Sequence, residues 1–286
     1  MIRRSPFTFA PWLLAGPGAL FFFGLVILPL CLTVILSFHA YDHSKGIQDT
    51  FTLSHYAAVV TDEYYLSIFL RTLRISALTT LICAAIGVPE AYILSRMRDP
   101  WRSVFLLVII GPLLVSVVVR AFGWSMLLGS QGILNQALHL LGLPSAKILY
   151  TETAIVIALV HVMLPFMVIP VWTALQKLDP MVEAAAWTLG ASRFTALRRI
   201  VMPQVSLGVL SGSLIVFGLS ASAFAVPALL GGRRLKMAAT LVYDEYLQEL
   251  NWPLGAAIAI IVLVANLCIM LAYNRMIEVR ARRTLG

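Results

Sequence analysis

Six apolar runs decide what this chain can become. They lie at about Trp12–Phe38, Leu70–Leu94, Ser103–Leu128, Thr153–Leu175, Val205–Leu230 and Pro253–Tyr273. A run of about 20 apolar residues matches the roughly 30 Å hydrocarbon core of a bilayer. A buried backbone there must satisfy its own hydrogen bonds, and continuous runs rather than alternating ten-residue segments point to helices, not a barrel. The expected fold is therefore an all-α integral membrane protein with six transmembrane helices. A mean hydropathy of +0.91 with 12% charged residues excludes an ordinary soluble domain. The N-terminal run is longer than the core of a secretion signal and no small-x-small site closes it, so it is read as an uncleaved first span.

Charge sets the orientation. With six spans both termini share a side with the 95–102 turn and the 176–204 segment. That side carries thirteen basic residues: Arg3, Arg4, Arg96, Arg98, Arg102, Lys177, Arg193, Arg198, Arg199, Arg275, Arg280, Arg282 and Arg283. The opposite loops carry five, Lys45, Lys147, Arg233, Arg234 and Lys236. Positive residues stay on the cytoplasmic face, which places both termini there. The outer loops hold most of the acid, including Asp42, Asp49, Glu152 and Asp244, so the pI of 9.7 reflects orientation and not nucleic-acid binding. Cys31, Cys83 and Cys268 each fall inside a run and read as buried apolar residues. His39 and His43 stand four residues apart, a two-ligand spacing on a helix, but no third ligand accompanies them, and no metal is expected.

Between the fourth and fifth runs lies the segment "LDPMVEAAAWTLGASRFTALRRIVMPQ". Asp179 suits an N-cap, Pro180 the first helical position and Glu183 the first turn. Gly190 permits a C-terminal cap. Ser192 can start a second short helix that ends before Pro203, with Phe194, Leu197 and Val201 on one face. Two readings fit this two-helix segment: an amphipathic surface lying on anionic lipid, or a docking site for a cytoplasmic partner.

The same residues resemble the cytoplasmic loop of binding-protein-dependent ABC importer permeases, whose signature runs Glu-Ala-Ala, three residues, Gly, nine residues, Ile-x-Leu-Pro. Here Gly190, nine residues, Ile200, Val201, Met202 and Pro203 follow that pattern with Met202 in place of leucine. Ala184 stands where the family has its glutamate and Glu183 comes one residue earlier, about 100° around a helix. The stretches Gly111–Leu138 and Tyr243–Ala259 resemble the spermidine/putrescine subgroup, so the likeness covers nearly the whole chain. It implies one transmembrane domain over residues 1–286 with a coupling loop at about 176–204, in the bacterial inner membrane. It further implies an ATPase dimer on the cytoplasmic face, a second and related permease subunit, and a periplasmic solute-binding protein. ATP would belong to the partner; no G-x-x-x-x-G-K-[ST] loop occurs in the chain, and neither catalytic residues nor cofactors are expected. Glu183, Ala184, Ala185, Gly190, Ala191, Ser192, Arg193, Ile200 and Pro203 would form the coupling loop. The implied solute is a polyamine, with another small solute (amino-acid derivative, opine, metal or anion) as the alternative.

Ionisable residues within the apolar runs are costly and so are candidates for a translocation pathway. Glu90 lies near Arg96 and Arg98 and is expected either to line the pathway or to pair with one of them. Arg120 and Trp124, at i and i+4, share a face and either line the pathway or stack as a cation–π pair. From other classes, an intramembrane protease would need Ser192 and His161 together, and a non-transporting scaffold would leave the loop signature unexplained.

Overall fold

The computed structural model describes residues 10–232 and 234–285; Arg3, Arg4 and Arg233, counted above for orientation, lie outside the described residues. Among the described residues, six helical stretches are long and apolar enough to cross a membrane: Ala15–Leu36, Glu63–Arg96, Val117–Leu140, Glu152–Gln176, Leu197–Ala221 and Trp252–Arg275. The chain clusters into two compact units, one of residues 1–62 and 242–261, the other of residues 63–241 and 262–286.

In the first unit, helix α1 (Ala10–Leu36) leads into a hairpin of strands β1 (His39–Asp42) and β2 (Gly46–Phe51), then helix α2 (Ser54–Thr61). The hairpin is a small two-stranded addition to a chain that is otherwise all-α among the described residues, as expected. Asp42 closes its turn: the Ser44 hydroxyl above all, and then the Ser44 and Lys45 amides at 2.7 and 3.2 Å, donate to its carboxylate and hold it below the usual carboxylate range. Phe38 stacks on Phe51 with centroids 5.1 Å apart. His39 and His43 thus sit on a strand and a turn, where helical i, i+4 spacing does not operate. The α1 window most suited to a membrane has no buried residue.

The second unit is built on three long helices: α3 (Glu63–Arg96), α7 (Glu152–Gln176) and α10 (Met202–Ala221). Between α3 and α7 come α4 (Trp101–Ile110), α5 (Val117–Leu128) and α6 (Ile133–Leu140). The third apolar run is therefore not one helix. A 3₁₀ turn at Gly111–Leu114 and extended backbone at Val115 interrupt it, where Pro112 withholds a backbone donor. After α7 come α8 (Pro180–Thr188) and α9 (Arg193–Ala196), and after α10 comes α11 (Ala225–Leu230); α12 (Ala238–Leu247) and α13 (Trp252–Leu285) are each divided between the units, residues 242–261 belonging to the first. The fifth run also breaks, since α10 ends at Ala221 and Pro227 lies in the separate α11, whereas α7 runs on through Pro165 and Pro170.

Small residues let these helices approach closely, as they must where lipid offers no hydrophobic gradient between helices. A Cβ on Gly208 would stand 2.7 Å from Ala174 Cβ and 2.9 Å from the Pro170 carbonyl; one on Gly212 would meet the Met167 backbone at 3.2 Å. Ile75, Leu94, Ile155, Leu159, Met167 and Val216 fill the core between α3, α7 and α10. Cys83 is buried there, but Cys31 and Cys268 are exposed on their helices, against expectation.

The loop after α5 is organised by Asn135, which is 4% exposed. Its amide donates to the Gly129 and Ala146 carbonyls at 2.9 and 3.1 Å and its oxygen accepts from the Ala146 amide at 2.8 Å. Leucine here leaves the Ala146 amide and carbonyl unpaired, each costing about 1–3 kcal/mol when buried, while the Gly129 carbonyl keeps the Gly132 amide. N135L should therefore lower the thermal unfolding midpoint of the detergent-solubilised protein, while G123A, with nothing within 4 Å of the added methyl, should leave it unchanged.

Candidate functional site

The segment between α7 and α10 is ordered by local chemistry. Asp179 is the N-cap of α8: its side chain accepts from the Met181 amide at 2.9 Å, and Pro180 takes the first helical position. At the other end Gly190 has φ +84°, the Gly190 amide reaches the Trp187 carbonyl at 3.0 Å, and the Ala191 amide reaches that of Ala186 at 3.0 Å. These are the two bonds of a Schellman cap, which needs a left-handed residue where Gly190 stands. Ser192 then caps the next helix, accepting from the Thr195 amide at 3.2 Å.

The second short helix does not end before Pro203. Between α9 and α10 lies a π turn at Leu197–Val201, with the Met202 amide bonded back to the Leu197 carbonyl, and the helix continues into α10. Only one discrete short helix, α8, stands between the fourth and fifth long helices, so the two-helix coupling segment is corrected to one helix plus an extension of α10. The cause is the wider turn. Proline breaks a helix because it lacks a donor and crowds the carbonyl four residues back, and a π turn just before it changes that spacing. Val201 and Ala196 are buried and Leu197 half-buried, so this face packs on protein.

Within α8 the residues divide by exposure. Glu183 is buried, 3% exposed, as is Ala186, whereas Met181, Val182, Ala185 and Leu189 are exposed, Leu189 at 88%. Ala184 and Ala191 are intermediate; Gly190, Ser192, Arg193 and Pro203 are exposed, and Ile200 is intermediate. The Glu183 carboxylate accepts from the Tyr92 hydroxyl at 2.7 Å and is ion-paired with Arg96. Arg96 lies over the Tyr92 ring at 5.4 Å, and Arg193 over the Trp187 ring at 6.0 Å. A cleft of about 700 Å³ opens between these groups, lined by Tyr92, Arg96, Trp187, Arg193 and Leu197.

Arg96 therefore pairs with Glu183, not with Glu90. Six residues turn a helix by about 600°, which leaves Glu90 and Arg96 on different faces, while Tyr92 and Arg96 at i and i+4 share one. Glu90 is half-buried, and its Oε2 is buried with no hydrogen-bond partner. Trp124 donates its indole N–H to His161 Nδ1 at 3.2 Å and meets that ring edge-on, centroids 5.7 Å apart. Nδ1 must be the acceptor nitrogen there. Arg120 Nε and Nη1 are buried without a hydrogen-bond partner. Ser192 and His161 each have other partners, so no nucleophile–base pair forms.

At the far end of α3, Glu152 in the first turn of α7 is held by Arg71 at 3.4 Å and Arg74 at 2.5 Å. A carboxylate also suits that helix start electrostatically. Among the described residues, no group of three or more His, Cys, Asp or Glu is arranged to hold a metal.

A family model described as "Binding-protein-dependent transport system inner membrane component" matches residues 81–282. The chain is 32% identical to the spermidine/putrescine transport system permease protein PotB of Haemophilus influenzae over 252 residues, covering 87% of this chain and 88% of that one. It is 26% identical to the sulfate transport system permease protein CysT of Salmonella typhimurium, with 94% and 96% covered. In fold it is similar to a chain in the crystal structure of a bacterial ABC transporter involved in the import of the acidic polysaccharide alginate. There the TM-score is 0.79 at 20% identity, over 93% of this chain and 94% of that one.

Proposed function

Because the chain belongs to the binding-protein-dependent transport system inner membrane components, we propose that it carries a polyamine such as spermidine or putrescine, and that α8 is where a partner ATPase drives it. The broader function follows from membership: this is a multi-pass permease subunit of an ABC importer that takes a solute delivered by a binding protein, in a family without its own nucleotide site. The polyamine reading is supported by the PotB relatives and by outer loops with more carboxylates than bases. The specific assembly proposed is two ATPase subunits below the membrane, a related second permease beside this chain, and a periplasmic binding protein above it. Both termini face the cytoplasm in this reading, which the excess of basic residues on that side supports.

One observation carries the docking role. Met181, Val182, Ala185 and Leu189 form an exposed apolar surface on a helix capped at both ends, and such a surface outside the membrane calls for a protein partner. Glu183 is turned away from that surface, so the docking face consists of the apolar residues. Glu90, Arg120 and Trp124 are the proposed polar points of the translocation pathway.

A second reading, import of a small anion, is favoured by Arg120, whose unpartnered buried guanidinium nitrogens suit an anionic group better than a cation. The deciding experiment purifies the permease with its ATPase in nanodiscs and measures ATP hydrolysis with the binding protein loaded by spermidine, putrescine or sulfate. Stimulation by a loaded polyamine supports the first reading and stimulation by sulfate the second. M181E/L189E should reduce ATPase co-purification at least about tenfold, as expected for anchors at the centre of an interface. Undiminished co-purification would remove α8 as the docking helix.

A further inference from the structure

Glu183 is buried in a nine-residue helix whose neighbouring Val182 and Ala185 are open. Both groups that hold it, Tyr92 and Arg96, come from the last turns of α3. Arg96 in turn rests on the Tyr92 ring, so the three side chains close on one another. The pairing joins segments distant in sequence, Tyr92 and Glu183 being 91 positions apart, and α8 has no direct chain connection to α3. The Tyr92 bond is charge-assisted, and such bonds are strong and directional; removing the exposed Arg96 would leave the buried Glu183 carboxylate without its counter-charge.

We infer that Glu183 is a positioning residue that fastens the docking helix to the Arg96 end of α3, so that a displacement of α8 passes into α3 directly as well as along the chain into α7 and α10. The far end of α3 is tied to α7 through Arg71, Arg74 and Glu152. A push delivered at Arg96 therefore acts on a helix restrained at its opposite end and tilts it. Tyr92 sets the angle of the Glu183 carboxylate, and Arg96 supplies the charge that keeps that carboxylate seated. The inference rests on α8 being the ATPase-docking helix and adds a second route for its motion.

The test uses the complete complex in nanodiscs and needs no identified solute. Hydrogen exchange of the peptides covering residues 90–97 and 180–190 is compared without nucleotide and after trapping with ATP and vanadate. In the wild type both peptides should respond. In E183Q and in R96M the 180–190 peptide should still respond, while the response at 90–97 should fall at least about threefold, in the range by which residues along a coupled network alter coupling. Y92F, which removes a single hydrogen bond, should fall between, and it keeps the test open should the charge variants fold poorly. An undiminished response at 90–97 in the variants overturns the inference. So does simultaneous loss at both peptides, because Glu183 would then only shape the docking helix. Absence of co-purifying ATPase with the wild-type chain would instead defeat the docking reading itself.

Discussion

Replacing Gly190 with valine should cut ATP-driven uptake by the reconstituted importer roughly 5- to 30-fold, the population change that corresponds to about 1–2 kcal/mol. Gly190 holds φ +84°, and a side chain placed there would meet nothing within 4 Å. The cost is thus purely conformational: an L-residue resists the left-handed region, and a β-branched one resists it most. Loss of that geometry undoes the two cap bonds from Gly190 and Ala191 and frees the end of α8. Asparagine enters the left-handed region more easily and should retain most uptake, with alanine between the two. Uptake into proteoliposomes, scored beside ATP hydrolysis, separates the outcomes. Equal uptake by glycine, asparagine and valine variants would show that the cap is dispensable.

The second large effect is expected at the α7–α10 contact. G208L forces a side chain against Ala174 Cβ, the Pro170 carbonyl and Val171 Cα, at 2.7, 2.9 and 3.2 Å from its first carbon alone. Backbone atoms cannot swing aside as a side-chain tip can, so the helices must separate; overpacking of this kind costs about 1–3 kcal/mol or more. The variant should yield little monodisperse protein and a clearly lower unfolding midpoint in detergent. G218A offers the comparison, since the nearest atom to its new methyl, at 2.7 Å, is the flexible terminal carbon of Met270. That substitution should be much milder. A G208L protein as stable as the wild type would mean that α7 and α10 are not packed as described.

Much of the local structure was legible in the sequence because it rests on chemistry a few residues long. Asp179, Ser192 and Gly190 cap helices as their side chains and φ preferences predict, and six apolar stretches follow from composition. What proved illegible depends on distant neighbours. Nothing near Glu183 announces Tyr92 and Arg96, and the shorter Glu90–Arg96 separation suggested a pair that the helix phase forbids. The Trp124–His161 bond joins two helices, and no spacing around Trp124 announces it. The hairpin had a local signal in Asp42 and Gly46, which a search for membrane helices passes over. Pro203 is a stop signal for a regular α-helix, but the π turn before it carries the winding through.

That last departure has a bearing on how the chain tolerates change. The turn at Leu197–Val201 holds one residue more than regular helical winding would use. Every residue of α10 is phased by that surplus, because one residue corresponds to about 100° of rotation. Deleting a single residue there, however conservative it looks in an alignment, would be felt as a twist of the whole of α10, swinging the bare flank of Gly208 and Gly212 away from Met167 and Ala174 and bringing bulkier side chains round in its place.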